Sequence, residues 1–164
     1  MTNFYLKAKS SLSDQELNNF GISQKIIIDI SRKELQPFLR LPDVKKILLE
    51  IFSDNGFILR KRIHKDYGIF ISGSKEKSAL CIQMGHKAGW YYDLVKCEYL
   101  HRKGMIENVS FVLPSLNLEK FCKSSGTANF EHISKMNKIF KDIFSFKINF
   151  ISIDIKKETI RNAK

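Results

Sequence analysis

Ser78-Ala79-Leu80-Cys81-Ile82-Gln83-Met84-Gly85, followed by Tyr91-Tyr92-Asp93-Leu94-Val95-Lys96, is the stretch whose reading decides the fold. The first piece alternates its side chains as a half-buried strand does. Cys81 and Gln83 fall on one face of it, because strand side chains repeat every second residue. The second piece belongs to a helix read over Ala88 to Lys103, which Gly104 ends. A strand presenting two polar side chains to a following helix is a place where chemistry can be built.

Working outward, Gly73-Ser74 supplies the turn into this strand. Two strands are expected before it, Phe57 to Ile63 and Tyr67 to Ser72. Pro42 to Gly56 reads as a helix: Pro42 suits its first turn, Asp43 its positive end and Gly56 its cap. Val44, Ile47, Leu48 and Ile51 form the apolar stripe of that helix. Lys25 to Ile30 is β-branched and reads as a strand. Met1 to Leu17 is polar and reads as a loose lead-in or short helix. After the deciding stretch, Val109 to Leu113 is a short buried strand stopped by Pro114. Leu116 to Lys123 and Phe130 to Ile143 are expected helices, and Phe146 to Ile155 alternates as a strand that closes the sheet. The order is α/β with antiparallel strands in the middle, which implies a mixed central sheet flanked by helices. A single domain over residues 1–164 is expected.

The chain has 164 residues, enough for one domain with a real core. Its 43% hydrophobic and 12% aromatic content argues against disorder. No apolar run reaches the roughly 18 residues of a membrane span. The first residues lack the apolar core of a signal peptide, so a cytoplasmic location is expected. Three cysteines, Cys81, Cys97 and Cys122, include no CxxC pair and fit reduced thiols. Lysine and arginine number 28 against 17 acidic residues, a net charge of +11. Such an excess favours polyanionic partners, chiefly nucleic acid; a lysine-rich composition without function is the other source of it.

A metal-dependent phosphodiesterase needs clustered oxygen ligands for Mg²⁺, which helps generate hydroxide and stabilises charge on the phosphate. An antiparallel hairpin can present an acid from one strand and an E-x-K or E-x-Q pair from the next. Here the order of several segments is similar to a known family. Ala79-Leu80-Cys81-Ile82-Gln83-Met84-Gly85 and Trp90-Tyr91-Tyr92-Asp93-Leu94-Val95-Lys96 are followed by Leu100, Lys103-Gly104-Met105-Ile106, Val109-Ser110-Phe111-Val112-Leu113-Pro114 and Gly126-Thr127-Ala128-Asn129-Phe130-Glu131. Together they resemble the BglII/BstYI-like type II restriction endonucleases of the PD-(D/E)xK superfamily, from about Gly68 to Phe140. The resemblance implies a restriction-endonuclease-like fold, double-stranded DNA as partner, a homodimer, and Mg²⁺ if the protein is active.

It also implies an E-x-Q site with glutamate where Cys81 stands and glutamine at Gln83. Gln83 matches and Cys81 departs, and a thiol is a poor ligand for a hard cation. The family's aspartate on the preceding strand has no counterpart in Ile69-Phe70-Ile71-Ser72. Asp66 lies just upstream of that segment and Glu76 in the following turn, neither in register. The chain therefore reads as a pseudo-nuclease, a DNA-binding relative that serves as a non-cleaving subunit or regulator beside an active partner. An active endonuclease with displaced ligands is the alternative, with Gln83, Asp66 and Asp93 as catalytic residues and Asp66 and Asp93 as metal ligands. A protein-interaction scaffold is the third.

Each candidate has two readings. Cys81 is a buried core residue or a reactive thiol, the latter needing an adjacent cation; His86 lies past the strand end. Gln83 orients water or phosphate, or is a remnant that hydrogen-bonds within the fold. Asp66 is a turn carboxylate or a ligand. Asp93 pairs with Lys96, and Glu98 with Arg102, as helix neighbours do, while Asp93 also can face the site. Cys97 and His101 share a helix face, yet no second pair completes a zinc site. Arg60-Lys61-Arg62-Ile63-His64-Lys65 is the densest basic cluster, either a solvated strand edge or a phosphate contact, with Arg60 and Arg62 on one face. Lys87, Lys96, Arg102, Lys103 and Lys123 are candidates to line a phosphate-binding cleft. Asn129 reads a base edge or caps the following helix.

Overall fold

A computed structural model describes residues 2–36, 39–64, 66–140 and 142–159. Along the chain the elements are β1 (Thr2–Ser10), α1 (Asp14–Asn19), α2 (Gln24–Ser31), β2 (Glu34–Leu35), α3 (Leu41–Asp54), β3 (Ile58–Leu59), β4 (Gly73–Lys75), β5 (Ser78–Ile82), α4 (Lys87–Arg102), β6 (Asn108–Pro114), α5 (Leu116–Phe121), α6 (Phe130–Phe140) and β7 (Lys147–Thr159). The strands form one mixed sheet in the order β2-β1-β7-β6-β5-β4-β3. β5, β6 and β7 run parallel at its centre, and antiparallel strands flank them on both sides.

Helices cover the sheet on both faces, and strand alternation sorts the side chains between them. Leu80 and Ile82 of β5, Val112 of β6 and Ile151 and Ile153 of β7 pack with α1, α2, α3 and α5. Ala79 and Cys81, Phe111 and Leu113 face the other way, under α4 and α6. Every residue of β5 and β6 is buried. β5 is thus buried on both faces rather than half-buried, as parallel strands between two helical layers must be.

Three expectations are corrected. Where a loose lead-in or short helix is expected over Met1 to Leu17, the described residues from Thr2 form β1, which pairs antiparallel with β7 from Thr2↔Thr159 to Ser10↔Ile151, and only then the short helix α1; Met1 lies outside the described residues. The alternation of β1 is real, with Leu6 and Ala8 buried and Lys7 and Lys9 exposed. Ser13 caps α1 in a reciprocal box with Glu16. Lys25 to Ile30 is helical, not a strand. Ile26 and Ile30, four apart, are buried, and Lys25 pairs with Asp29 at 3.5 Å; burying one stripe against β1 and α3 outweighs β-branched propensity. β7 does not close the sheet but lies within it, between β1 and β6.

The helices at Pro42, Ala88, Leu116 and Phe130 form within a residue or two of their expected starts. The two strands expected at Phe57 to Ile63 and Tyr67 to Ser72 shrink to β3 and an isolated bridge between Arg62 and Phe70. Arg60 breaks the alternation with a φ of 48°. The hairpin is still held by Arg60 N–H to Ser72 O, Ile71 N–H to Lys61 O and Ile63 N–H to Ile69 O.

Candidate functional site

β5 leaves the sheet core at Ile82, but Gln83 N–H still donates to Val112 O of β6 at 2.9 Å. The Gln83 side chain therefore emerges at the carboxyl ends of the parallel strands, where α/β sheets place their sites. The chain turns through Gly85, and His86 caps α4 by accepting from Ala88 N–H at 3.3 Å. α4 then runs back over β5 with Trp90, Asp93, Leu94, Cys97 and Leu100 turned inward.

This return path makes two rungs. Gln83 Nε2 donates to Asp93 Oδ2 at 2.5 Å, and Cys81 Sγ lies 3.7 Å from Cys97 Sγ. The spacing is arithmetic: two strand residues advance about 6.6 Å and four helix residues about 6 Å, so both pairs stay in step. Gly89 leaves room for the upper rung, since a Cβ there would stand 3.0 Å from Gln83 Nε2.

Lys96 completes the group. Its ammonium touches Asp93 Oδ1, donates to the Phe70 carbonyl at 2.8 Å and sits 4.8 Å above the Tyr92 ring. The side chains of Lys96 and Asp93 are 12% and 9% exposed, so this is a nearly buried ion pair. Beside it a cleft of about 350 Å³ is lined by Lys45, Arg60, Phe70, Ser72, Gln83, Asp93 and Lys96, among others. The Arg60 and Arg62 guanidinium groups lie 5.3 and 5.4 Å from the Phe70 ring centre, so both reach the same ring of the hairpin even though Arg60 breaks the strand alternation. A larger groove of about 780 Å³ is lined by Phe4, Leu41 and Met84, among others, and by none of the residues of this polar group.

The residues present do not fit a divalent cation. Asp93 is the only carboxylate lining the cleft among the described residues. One of its oxygens takes the Gln83 amide and the other the Lys96 ammonium. Ser72 Oγ accepts from Ile82 N–H at 2.9 Å. Among the described residues no three His, Cys, Asp or Glu side chains are grouped to hold a metal ion. Cys81, where the E-x-Q pattern has its acid, is wholly buried. Its hydrogen bond with Cys97, together with burial, pushes its thiol well above the ordinary range, opposite to what a thiolate nucleophile or ligand requires.

Other candidates fall elsewhere. Asp66 is exposed in the bend after His64, 3.8 Å from His64 Nδ1, and does not line the cleft. Glu76 sits in the β4–β5 turn, at the start of β5, whereas Gln83 lies past its end. Lys87 starts α4, and Lys103 ends it over the Tyr99 ring. Lys123 lines the other groove. Asn129 is buried: its amide donates to Glu119 Oε2 at 2.7 Å and its oxygen accepts from His132 N–H, capping α6. Arg102 pairs with Glu98 at 2.7 Å, and His101 Nδ1 lies against Ile106 O at 3.0 Å. Lys65 lies outside the described residues.

Two participants were not singled out from the sequence. Lys45 reaches the cleft from α3, and nothing in its neighbourhood marks it. Glu119 is a buried carboxylate that accepts from Thr127 N–H as well as Asn129, fixing the loop whose Ala128 N–H donates to Gly85 O. Glycine and asparagine around Thr127 were the available signal for an organised loop.

A seven-stranded mixed sheet covered by helices on both faces, with a polar cleft at the end of β5, is a restriction-endonuclease-like fold. The chain is similar to the solved structure of restriction endonuclease BglII complexed with a DNA 16-mer. The TM-score is 0.66 at 9% sequence identity, over 91% of this chain and 76% of that one. No protein-family model and no curated protein matches the chain. No helix among the described residues is long and apolar enough to cross a membrane.

Proposed function

We propose that this chain is a DNA-binding pseudo-nuclease of the BglII/BstYI-like, PD-(D/E)xK type: it holds double-stranded DNA and does not cut it. The observation that carries the reading is the cleft itself, where one carboxylate, Asp93, is already satisfied by Gln83 and Lys96 while Cys81 is sealed beneath it. Its DNA-binding half is supported by the net charge of +11 and by Arg60, Arg62, Lys45 and Lys96 around one hairpin and cleft. Phosphate contact needs charge and little sequence. The similar BglII structure is a complex with DNA, which points the same way.

In this role the protein acts as a non-cleaving subunit or regulator, as a homodimer or beside an active nuclease subunit. Three free cysteines, all buried, support a reducing cytoplasmic setting.

The test is incubation of the purified protein with plasmid and mixed-sequence DNA in Mg²⁺ or Mn²⁺, with Gln83→Ala as control. No cleavage together with salt-dependent binding is expected. Cleavage lost in Gln83→Ala overturns the reading in favour of an active endonuclease using Asp93. Absence of both cleavage and binding leaves an interaction scaffold.

A further inference from the structure

The cleft holds more positive charge than its one carboxylate uses. Asp93 is closed off by Gln83 and Lys96, so that ion pair is neutral as a unit. Lys45 from α3 and Arg60 from the hairpin line the same space. Neither has a carboxylate partner among the described residues. Arg60 lies against the Phe70 ring with a φ of 48°. A side chain other than glycine rarely adopts that backbone, and where it does the position is often a ligand clamp.

Uncommitted hydrogens stand beside these charges. Ser72 Oγ accepts from Ile82 N–H at 2.9 Å, which leaves its own hydrogen to donate elsewhere. Gln83 Nε2 uses one of its two hydrogens on Asp93. Both residues line the cleft. Two unpaired cations and two spare donors, with no free carboxylate, suit an oxyanion.

From this lining we infer that the cleft is a metal-independent seat for a phosphate monoester, the group that a phosphorylated DNA end carries. The match is one of charge. A phosphate monoester bears roughly two negative charges at neutral pH, which Lys45 and Arg60 balance, whereas a phosphodiester inside a DNA strand bears one. The guanidinium fork of Arg60 suits two phosphate oxygens, and Lys45 adds a point charge. The cleft, at about 350 Å³, has room for the group. A free mononucleotide carries the same group, so the choice of a DNA end as its source rests on the DNA-binding reading above.

The experiment is run in EDTA throughout. Thermal unfolding is followed in methyl phosphate, dimethyl phosphate and sodium chloride at equal ionic strength. The proteins are wild type, Lys45→Ala, Arg60→Ala and Lys46→Ala; Lys46 is the exposed neighbour on α3 that does not line the cleft. Methyl phosphate is expected to raise the wild-type Tm and dimethyl phosphate is not, since a ligand that binds only the folded state stabilises it. The rise is expected to survive Lys46→Ala and to vanish in Lys45→Ala and Arg60→Ala. No rise, an equal rise in dimethyl phosphate, or a rise that both cleft variants keep overturns the inference. If the cleft variants do not fold, the wild type decides by NMR. Methyl phosphate is then expected to shift the Gln83 side-chain amide resonance and dimethyl phosphate to leave it; an unmoved resonance overturns the inference.

The source is read with one duplex carrying 5′-phosphate, 3′-phosphate or only hydroxyl ends. A phosphorylated end is expected to bind on the order of tenfold tighter, as one charge-assisted hydrogen bond provides, and to lose that advantage in Lys45→Ala. Stabilisation by methyl phosphate with no preference for a phosphorylated end overturns the DNA end as the source and assigns the seat to a free mononucleotide. Salt-dependent binding of the hydroxyl-ended duplex reports the DNA-binding reading by itself, so its failure is distinct from failure of the seat.

Discussion

Gly89 stands so close to Gln83 that a methyl group at its Cβ position would lie 3.0 Å from Nε2 and 3.1 Å from Oε1. Glycine on the first turns of α4 is therefore the space that lets the Gln83 amide reach Asp93. Gly89→Ala should leave global stability little changed, because the gain in helix propensity of about 1 kcal/mol offsets the crowding. The Gln83 side-chain amide resonance should nevertheless shift, as it should also in Asp93→Asn, and a two-dimensional NMR spectrum reads both directly. An unmoved resonance would mean the amide is held by something other than Asp93.

Breaking the Asp93–Lys96 pair from one side should be expensive. Lys96→Met leaves Asp93 buried without its counter-charge, a loss of about 3 kcal/mol, whereas Lys96→Met with Asp93→Asn together should recover much of it. Chemical denaturation of the wild type, both single variants and the double variant gives the coupling energy.

The Cys81 thiol sets an alkaline limit. Its folded pKa is raised by the hydrogen bond to Cys97 and by burial, so the folded state holds its proton more tightly than the unfolded chain does. The contribution is fully present below the unfolded cysteine pKa of about 8.5 and is lost as pH rises above it. Unfolding followed between neutral and alkaline pH should show a decline that Cys81→Ala, which removes the titrating group, makes shallower. Native protein should also resist thiol-specific alkylation at this residue.

Glu119 should matter more than its place in a six-residue helix suggests. Its carboxylate satisfies the Thr127 N–H and the Asn129 amide, both buried. Glu119→Ala strands those donors and should cost about 3 kcal/mol. Amide hydrogen exchange at Thr127 and Ala128 should speed up well beyond the change in global stability.

For the basic hairpin, Arg60→Ala and Arg62→Ala should each weaken DNA binding to a similar degree on unrelated sequences. Each should also reduce the slope of log affinity against log salt by about 0.9. Titrations at several salt concentrations check this; a sequence-dependent loss would mean a base contact instead.

Much of the architecture is legible in local pattern. Pro42, Asp43 and Gly56 bracket α3, and the run from Ser78 and the short apolar run Val109 to Leu113 before Pro114 give β5 and β6. What local pattern hides is decided at long range. β1 carries a plain alternation of Leu6 and Ala8 against Lys7 and Lys9, yet its partner lies in β7, at the far end of the chain. Ile26 to Ile30 is as β-branched as a strand, and only the neighbours on one side make it a helix. The site divides the same way. Asp93, Lys96 and Gln83 are marked by spacing, while Asp66 fails because its bend points to solvent, and Lys45 and the Phe70 carbonyl enter by tertiary approach alone.

The pairing of β1 with β7 has a consequence for how the molecule comes into being. Thr2 is the register partner of Thr159, and all nine residues of β1 find their longest pairing in β7. During synthesis β1 must wait, on the order of ten seconds at ribosomal speed, for β7, which completes its hydrogen bonds. Until then the exposed edges of β1 and β6 are open to other strands. Because Thr2 lies beside Thr159, a short linker from the end of β7 to the start of β1, with a new opening cut in a surface turn, should yield a circular permutant that assembles the same sheet in a different order.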